Sequence, residues 1–218
     1  MGSKRFIAFK GVAFRGLAFS GLAFGGLAFG GLAVGLLCAS AAMAQTAQPK
    51  LDVPYLPTTD EAVQAMLKLA DVKSTDVVYD LGCGDGRIVI AAAKAFGARG
   101  VGIDIDPARI AEANANAKKA GVEKLVRFEE KDLFKADFHA ASVVTLFLLN
   151  SVNLKLRPKL LAELKPGTRI VSNTFDMGDW QPAKELNLGE SDSDDVYFSR
   201  KLFLWIVPEQ SGGANKKK

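Results

Sequence analysis

Three aspartates and one glycine-rich turn carry the spacing from which chemistry can be built. The turn is Asp80-Leu81-Gly82-Cys83-Gly84-Asp85-Gly86, and Asp104 and Asp132 follow at intervals that suit the ends of later strands. Glycines let a chain turn sharply and let a ligand approach without a Cβ in the way. A dinucleotide fingerprint reads G-x-G-x-x-G and sets a pyrophosphate on a helix N-terminus. Here the third glycine comes one residue early, and Asp80 and Asp85 flank the loop. Carboxylates repel a pyrophosphate but tolerate an ammonium and a sulfonium, so the pattern favours S-adenosylmethionine over NAD.

Asp104, 24 residues after Asp80, is placed to accept both ribose hydroxyls, and Asp132 to accept the adenine amino group. Gly82, Gly84 and Gly86 form the floor. Asp85 and Asp106 have a second reading as helix caps, and Cys83 as a small loop residue. Metal chemistry is not expected: His139 is the single histidine, and Cys38 and Cys83 are the two cysteines. His139 precedes the fourth strand, remote from the strand ends, and makes a poor general base.

The elements that must hold these residues alternate. A helix is predicted over about 59–70, opened by a Thr58-to-Glu61 capping box. Val77–Leu81 reads as a buried strand that breaks into the glycine turn before a helix reaching about Phe96. Gly100–Asp104 is a second strand; Asp106, Pro107 and Gly121 then bracket a helix as cap, first residue and stop. Further strands are predicted at 126–129, 142–149 and 169–173, the last two joined by a helix over about 152–164 that Pro158 disturbs. Val196–Ser199 and Lys201–Val207 leave no room for a crossover and read as an antiparallel pair. The expectation is an α/β class I, Rossmann-like methyltransferase fold: a seven-stranded, mostly parallel sheet with an antiparallel C-terminal pair.

Residues 1–44 read as a leader. They repeat a pentapeptide from Gly11 (GVAFR, GLAFS, GLAFG), carry Lys4, Arg5, Lys10 and Arg15 and no acid, and end in Ala42-Met43-Ala44. From Arg15 to Lys50 there is no charge, longer than the roughly 20 residues that cross a bilayer. A cleaved signal peptide, an uncleaved membrane anchor and a start at Met43 are the three readings. They imply an exported (periplasmic), an inner-membrane-anchored and a cytoplasmic protein respectively. Residues 45–57 are linker and entry segment, 58–210 the catalytic domain, and 211–218 a disordered basic tail. Taking the four leader cations from the 28 basic residues leaves 24 against 24 acids, which gives no support to general nucleic-acid binding.

Tyr55-Leu56-Pro57-Thr58, the run Asp80–Val89 and Lys131-Asp132-Leu133 together resemble the lysine methyltransferases that modify the ATP synthase c subunit and the adenine nucleotide translocase. The similarity covers roughly residues 52–182. It implies a lysine of a membrane-associated protein as methyl acceptor, an enzyme held at a membrane by its N-terminal segment, and Tyr55 and Thr58 lying over the cofactor. Phe147-Leu148-Leu149-Asn150-Ser151 departs from the family, which is expected to carry a proline there.

A lysine acceptor must lose a proton, at about 4–5 kcal/mol from a pKa near 10.4 at pH 7, and a desolvating site with polar acceptors lowers that cost. Asn150, at the expected end of strand four, and Tyr55 are the catalytic candidates. Asp176-Met177-Gly178-Asp179-Trp180 reads as substrate mouth or as turn, and the acidic 190–195 run as solvated surface. A small-molecule methyltransferase and a cofactor-binding module without turnover are the alternatives. Nothing in the sequence fixes the oligomeric state.

Overall fold

A computed structural model of the chain describes residues 56–189 and 200–209. Its centre is β1 (Val77–Leu81), whose side chains alternate between two faces as an extended backbone requires. Val78 joins the core built by Val63, Met66 and Leu67 of α1 (Asp60–Leu69) and by Ile88 and Val89 of α2 (Arg87–Phe96). Tyr79 and Leu81 join the opposite core, with Leu146 of β4 (Val143–Leu146) and with Leu156 and Leu160 of α4 (Asn150–Glu163).

The remaining elements are β2 (Arg99–Asp104), α3 (Pro107–Ala120), β3 (Val126–Glu130), β5 (Arg169–Asn173), β6 (Lys184–Asn187) and β7 (Lys201–Ile206). The seven strands run in the order β3-β2-β1-β4-β5-β7-β6. The first five are parallel, and β7 lies antiparallel between β5 and β6. The strand order reverses between β1 and β4. That reversal opens a crevice at the carboxyl ends of the strands, where open α/β sheets bind ligands.

Three boundaries differ from those expected. Thr59, not Thr58, caps α1, its hydroxyl accepting the Ala62 N–H at 3.2 Å. Strand four stops at Leu146 rather than Leu149, so Asn150 opens a helix instead of closing a strand. The antiparallel neighbours of β7 are β5 and the unforeseen β6; Val196–Ser199 lies outside the described residues. β6, Lys-Glu-Leu-Asn, is exposed along its whole length and so lacks the alternation that marks a strand. The capping of α3 is as expected: Asp106 accepts the Ala108 N–H at 2.8 Å, Pro107 opens the helix and Gly121 ends it with φ +70°.

Among the described residues no helix is long and apolar enough to cross a membrane. The leader, the linker as far as Tyr55 and the 211–218 tail lie outside them.

Candidate active site

The glycine turn is pinned to the end of the neighbouring strand by backbone and side chain together. The Gly82 and Cys83 N–H groups both donate to the Ile103 carbonyl, at 2.8 and 3.0 Å. The Gly84 N–H donates to Asp104 Oδ2 at 2.8 Å, and the Asp106 N–H to Asp104 Oδ1 at 3.0 Å. Asp104 therefore shapes the loop with one lone pair of each oxygen and keeps the others for a ligand, such as a pair of vicinal hydroxyls. Gly86, the residue that enters α2, sits at φ +79°, and a Cβ there would stand 2.6 Å from the Phe128 ring. Cys83 packs beneath the loop, where a Cβ on Gly102 would meet its Sγ at 2.8 Å. Burial pushes the Cys83 thiol far up and leaves it inert, a small packing residue.

Asp80 is 3% exposed. One of its oxygens accepts the Thr145 hydroxyl at 2.8 Å. Desolvation, with smaller contributions from the Asp104 and Asp85 charges, raises its pKa to about 7. A buried carboxylate whose charged neighbours are acids is matched to a cationic ligand. Asp85 is balanced differently. Burial pushes its carboxyl up, but the Arg87 guanidinium, bonding it at 2.7 to 3.2 Å, outweighs that and holds it below the usual range. Arg87 Nη1 also donates to the Thr58 carbonyl at 2.7 Å, tying the entry segment over the glycine turn. Arg87 was not among the residues singled out from sequence, because its reach spans 29 positions.

These groups face one open cavity, lined by Thr58, Asp80, Gly82, Gly84, Asp85, Asp104 and Asp132. Its apolar walls, which sequence reasoning missed, include Ile105, Leu133, Phe134, Phe147 and Leu148. Asp132 also closes its own turn by accepting the Phe134 N–H at 2.9 Å. Gly86 holds the loop from behind and is not part of the lining. Tyr55 lies outside the described residues. Asn150 does not reach the cavity wall: its Nδ2 donates to Asp176 Oδ1 at 2.7 Å. His139 is exposed, on Asp137 at 2.6 Å, away from the cavity.

A family model described as ANTKMT methyltransferase domain matches residues 80–184. The protein-lysine N-methyltransferase of Saccharolobus islandicus is 44% identical over 158 residues, covering 72% of this chain and 95% of that protein. The chain belongs to this methyltransferase family. Within it, the adenine nucleotide translocase lysine N-methyltransferase of Mus musculus is 36% identical over 140 residues, 64% of this chain, and the match spans 61% of the mouse protein's length. A solved structure, described as an RNA methyltransferase from Salinibacter ruber with bound S-adenosyl-L-homocysteine, shares 52% identity and a TM-score of 0.66. It is matched over 71% of this chain and 95% of its own. The family, together with the demethylated cofactor product held by the Salinibacter ruber protein, identifies an S-adenosylmethionine-dependent methyltransferase, and the site's chemistry agrees. Asp80 suits the cationic end of the donor, Asp104 the ribose and the apolar walls the adenine.

Proposed function

We propose that the chain transfers a methyl group to the side-chain nitrogen of a protein lysine, and that the substrate is a membrane-associated protein. The curated relatives named for protein-lysine methylation support the acceptor class. The uncharged, apolar leader between Arg15 and Lys50 supports a place at or beyond a membrane, by anchoring or export. The observation that carries the reading is the joining of an acid-lined donor site to an aromatic wall. Phe147 lines the cavity and stacks on Phe175, ring centroids 6.5 Å apart.

When bound, S-adenosylmethionine supplies an electrophilic methyl group on a sulfonium. Asp104 and the glycine turn fix its position, and the main catalytic contribution is alignment at near-attack distance. Phe147 and Leu148 exclude water beside it, which favours the neutral, nucleophilic amine over the ammonium.

The Salinibacter ruber relative motivates a second reading, RNA as acceptor. The balanced charge of the chain beyond the leader weighs against it. Tritiated donor, incubated with membrane and soluble extracts, distinguishes the two. Label resistant to ribonuclease and recovered as methyllysine supports the proposal; label released by ribonuclease replaces it with the RNA reading. Label confined to soluble proteins removes the membrane-associated substrate. Mass-spectrometric mapping of the mature N-terminus decides among export, anchoring and a start at Met43.

A further inference from the structure

The segment after β5 is fastened to α4 along its length. Asn150 donates to Asp176 Oδ1 at 2.7 Å, and Asn153 Nδ2 lies 3.3 Å from the Phe175 and Asp176 carbonyls. Arg157 donates to the Met177 carbonyl at 2.7 Å and pairs with Asp179. Thr174 takes φ +69°, a left-handed conformation that a β-branched residue adopts only under constraint. These bonds hold two groups in place. Phe175 stacks on the cavity-lining Phe147, and Asp176 is exposed. Both hydrogen bonds to the Asp176 carboxylate, from Asn150 and from the Gly178 N–H at 2.9 Å, fall on Oδ1. Oδ2 has no partner among the described residues.

We propose that Asp176 is the docking residue for the cationic side chain of the substrate, and that Asn150 positions it. This rests on the lysine reading and adds the residues that select the acceptor. A fixed carboxylate with a free oxygen, beside an aromatic pair that opens onto the methyl-donor cavity, is suited to an incoming ammonium. A carboxylate favours the charged form of the amine, so Asp176 captures lysine at the mouth. The proton passes to bulk water as the side chain leaves Asp176 for the apolar wall at Phe147. Asn150 thereby acts through Asp176 and not on the reacting nitrogen.

Asp176→Asn tests the charge alone, because the amide oxygen can keep both bonds now made by Oδ1. The probe is decalysine, with the full-length protein, tritiated donor and mass-spectrometric readout of methyllysine. The substitution is expected to raise KM for decalysine about fivefold, with kcat and the affinity for S-adenosylhomocysteine within twofold of wild type. Asn150→Ala should raise KM less and add nothing in the Asp176→Asn background. Asn150→Gln, if its longer amide still reaches, should recover part of the loss. Should either single variant fail to bind S-adenosylhomocysteine, the salt dependence of wild-type KM decides: a KM that does not rise with salt overturns the proposal. Methylation by wild type with KM unchanged in Asp176→Asn overturns the docking role and leaves the lysine reading intact. A wild-type protein that binds the donor yet methylates lysine neither in decalysine nor in extracts overturns both.

Discussion

Asp76 and Asp80 lie four residues apart at opposite ends of the central strand, 5% and 3% exposed, and they are provided for in opposite ways. Asp76 receives the Ser142 hydroxyl at 2.7 Å, the Lys73 N–H at 2.7 Å and the Arg169 guanidinium. Burial pushes its carboxyl up, but these three donors outweigh it and hold the pKa below the usual carboxylate range. Asp80 receives one hydroxyl and faces two acids. The amino-terminal end of the sheet therefore satisfies its buried charge internally. The carboxyl-terminal end leaves a charge to be satisfied by a ligand. Stability and function are separated by one strand length.

Exchanging charge for amide at each position should break the symmetry. Asp80→Asn is expected to weaken S-adenosylmethionine binding by about 100-fold, the loss of one buried charged contact, while raising the Tm of the ligand-free protein. Calorimetric titration and thermal melts read the two effects, and a lower Tm would show that Asp80 is structural like Asp76. Gly86→Ala forces a side chain into a left-handed conformation and against Phe128, and should cost roughly 3 kcal/mol in chemical denaturation. Asp76→Asn should cost about 2 kcal/mol by the same measurement, since it weakens the bond to Arg169 without filling its place.

The two aspartates also predict opposite pH dependences. With its folded pKa raised from 3.8 to about 7, Asp80 holds a proton that the unfolded chain has released, so its contribution to stability falls as pH rises between those values. Asp76, shifted down, contributes above the ordinary carboxylate value, and that contribution is lost as pH falls through its folded value. Donor affinity should rise as pH approaches and passes 7, with a proton released on binding below it. Titrations in two buffers of different ionisation enthalpy measure that proton. The smallest effect is expected at Arg87→Met: an increase of about fivefold in the donor Kd, as Thr58 loses its tie to the glycine turn.

The donor end was legible because its signals are local. Asp80, the three glycines and Asp85 fall within seven consecutive residues, and the cap, first proline and final glycine of α3 are fixed by backbone chemistry alone. The acceptor end was not. Val143 to Leu149 is apolar except for Thr145, and nothing within it marks where the strand ends, so Asn150 was expected at a strand end. Its partner Asp176 stands 26 residues away, a pairing that only the sheet creates. β6 was missed because exposed strands carry no hydrophobic period, and its pairing comes entirely from β7.

That last arrangement bears on how the chain is made. Among the described residues, β6 meets the sheet only through β7, which is synthesised after it. Until Lys201–Ile206 leaves the ribosome, β5 offers an open edge and β6 has no strand partner among the described residues, so the sheet stays incomplete until β7 is made. Truncation just ahead of Lys201 would yield an aggregation-prone fragment rather than a smaller enzyme.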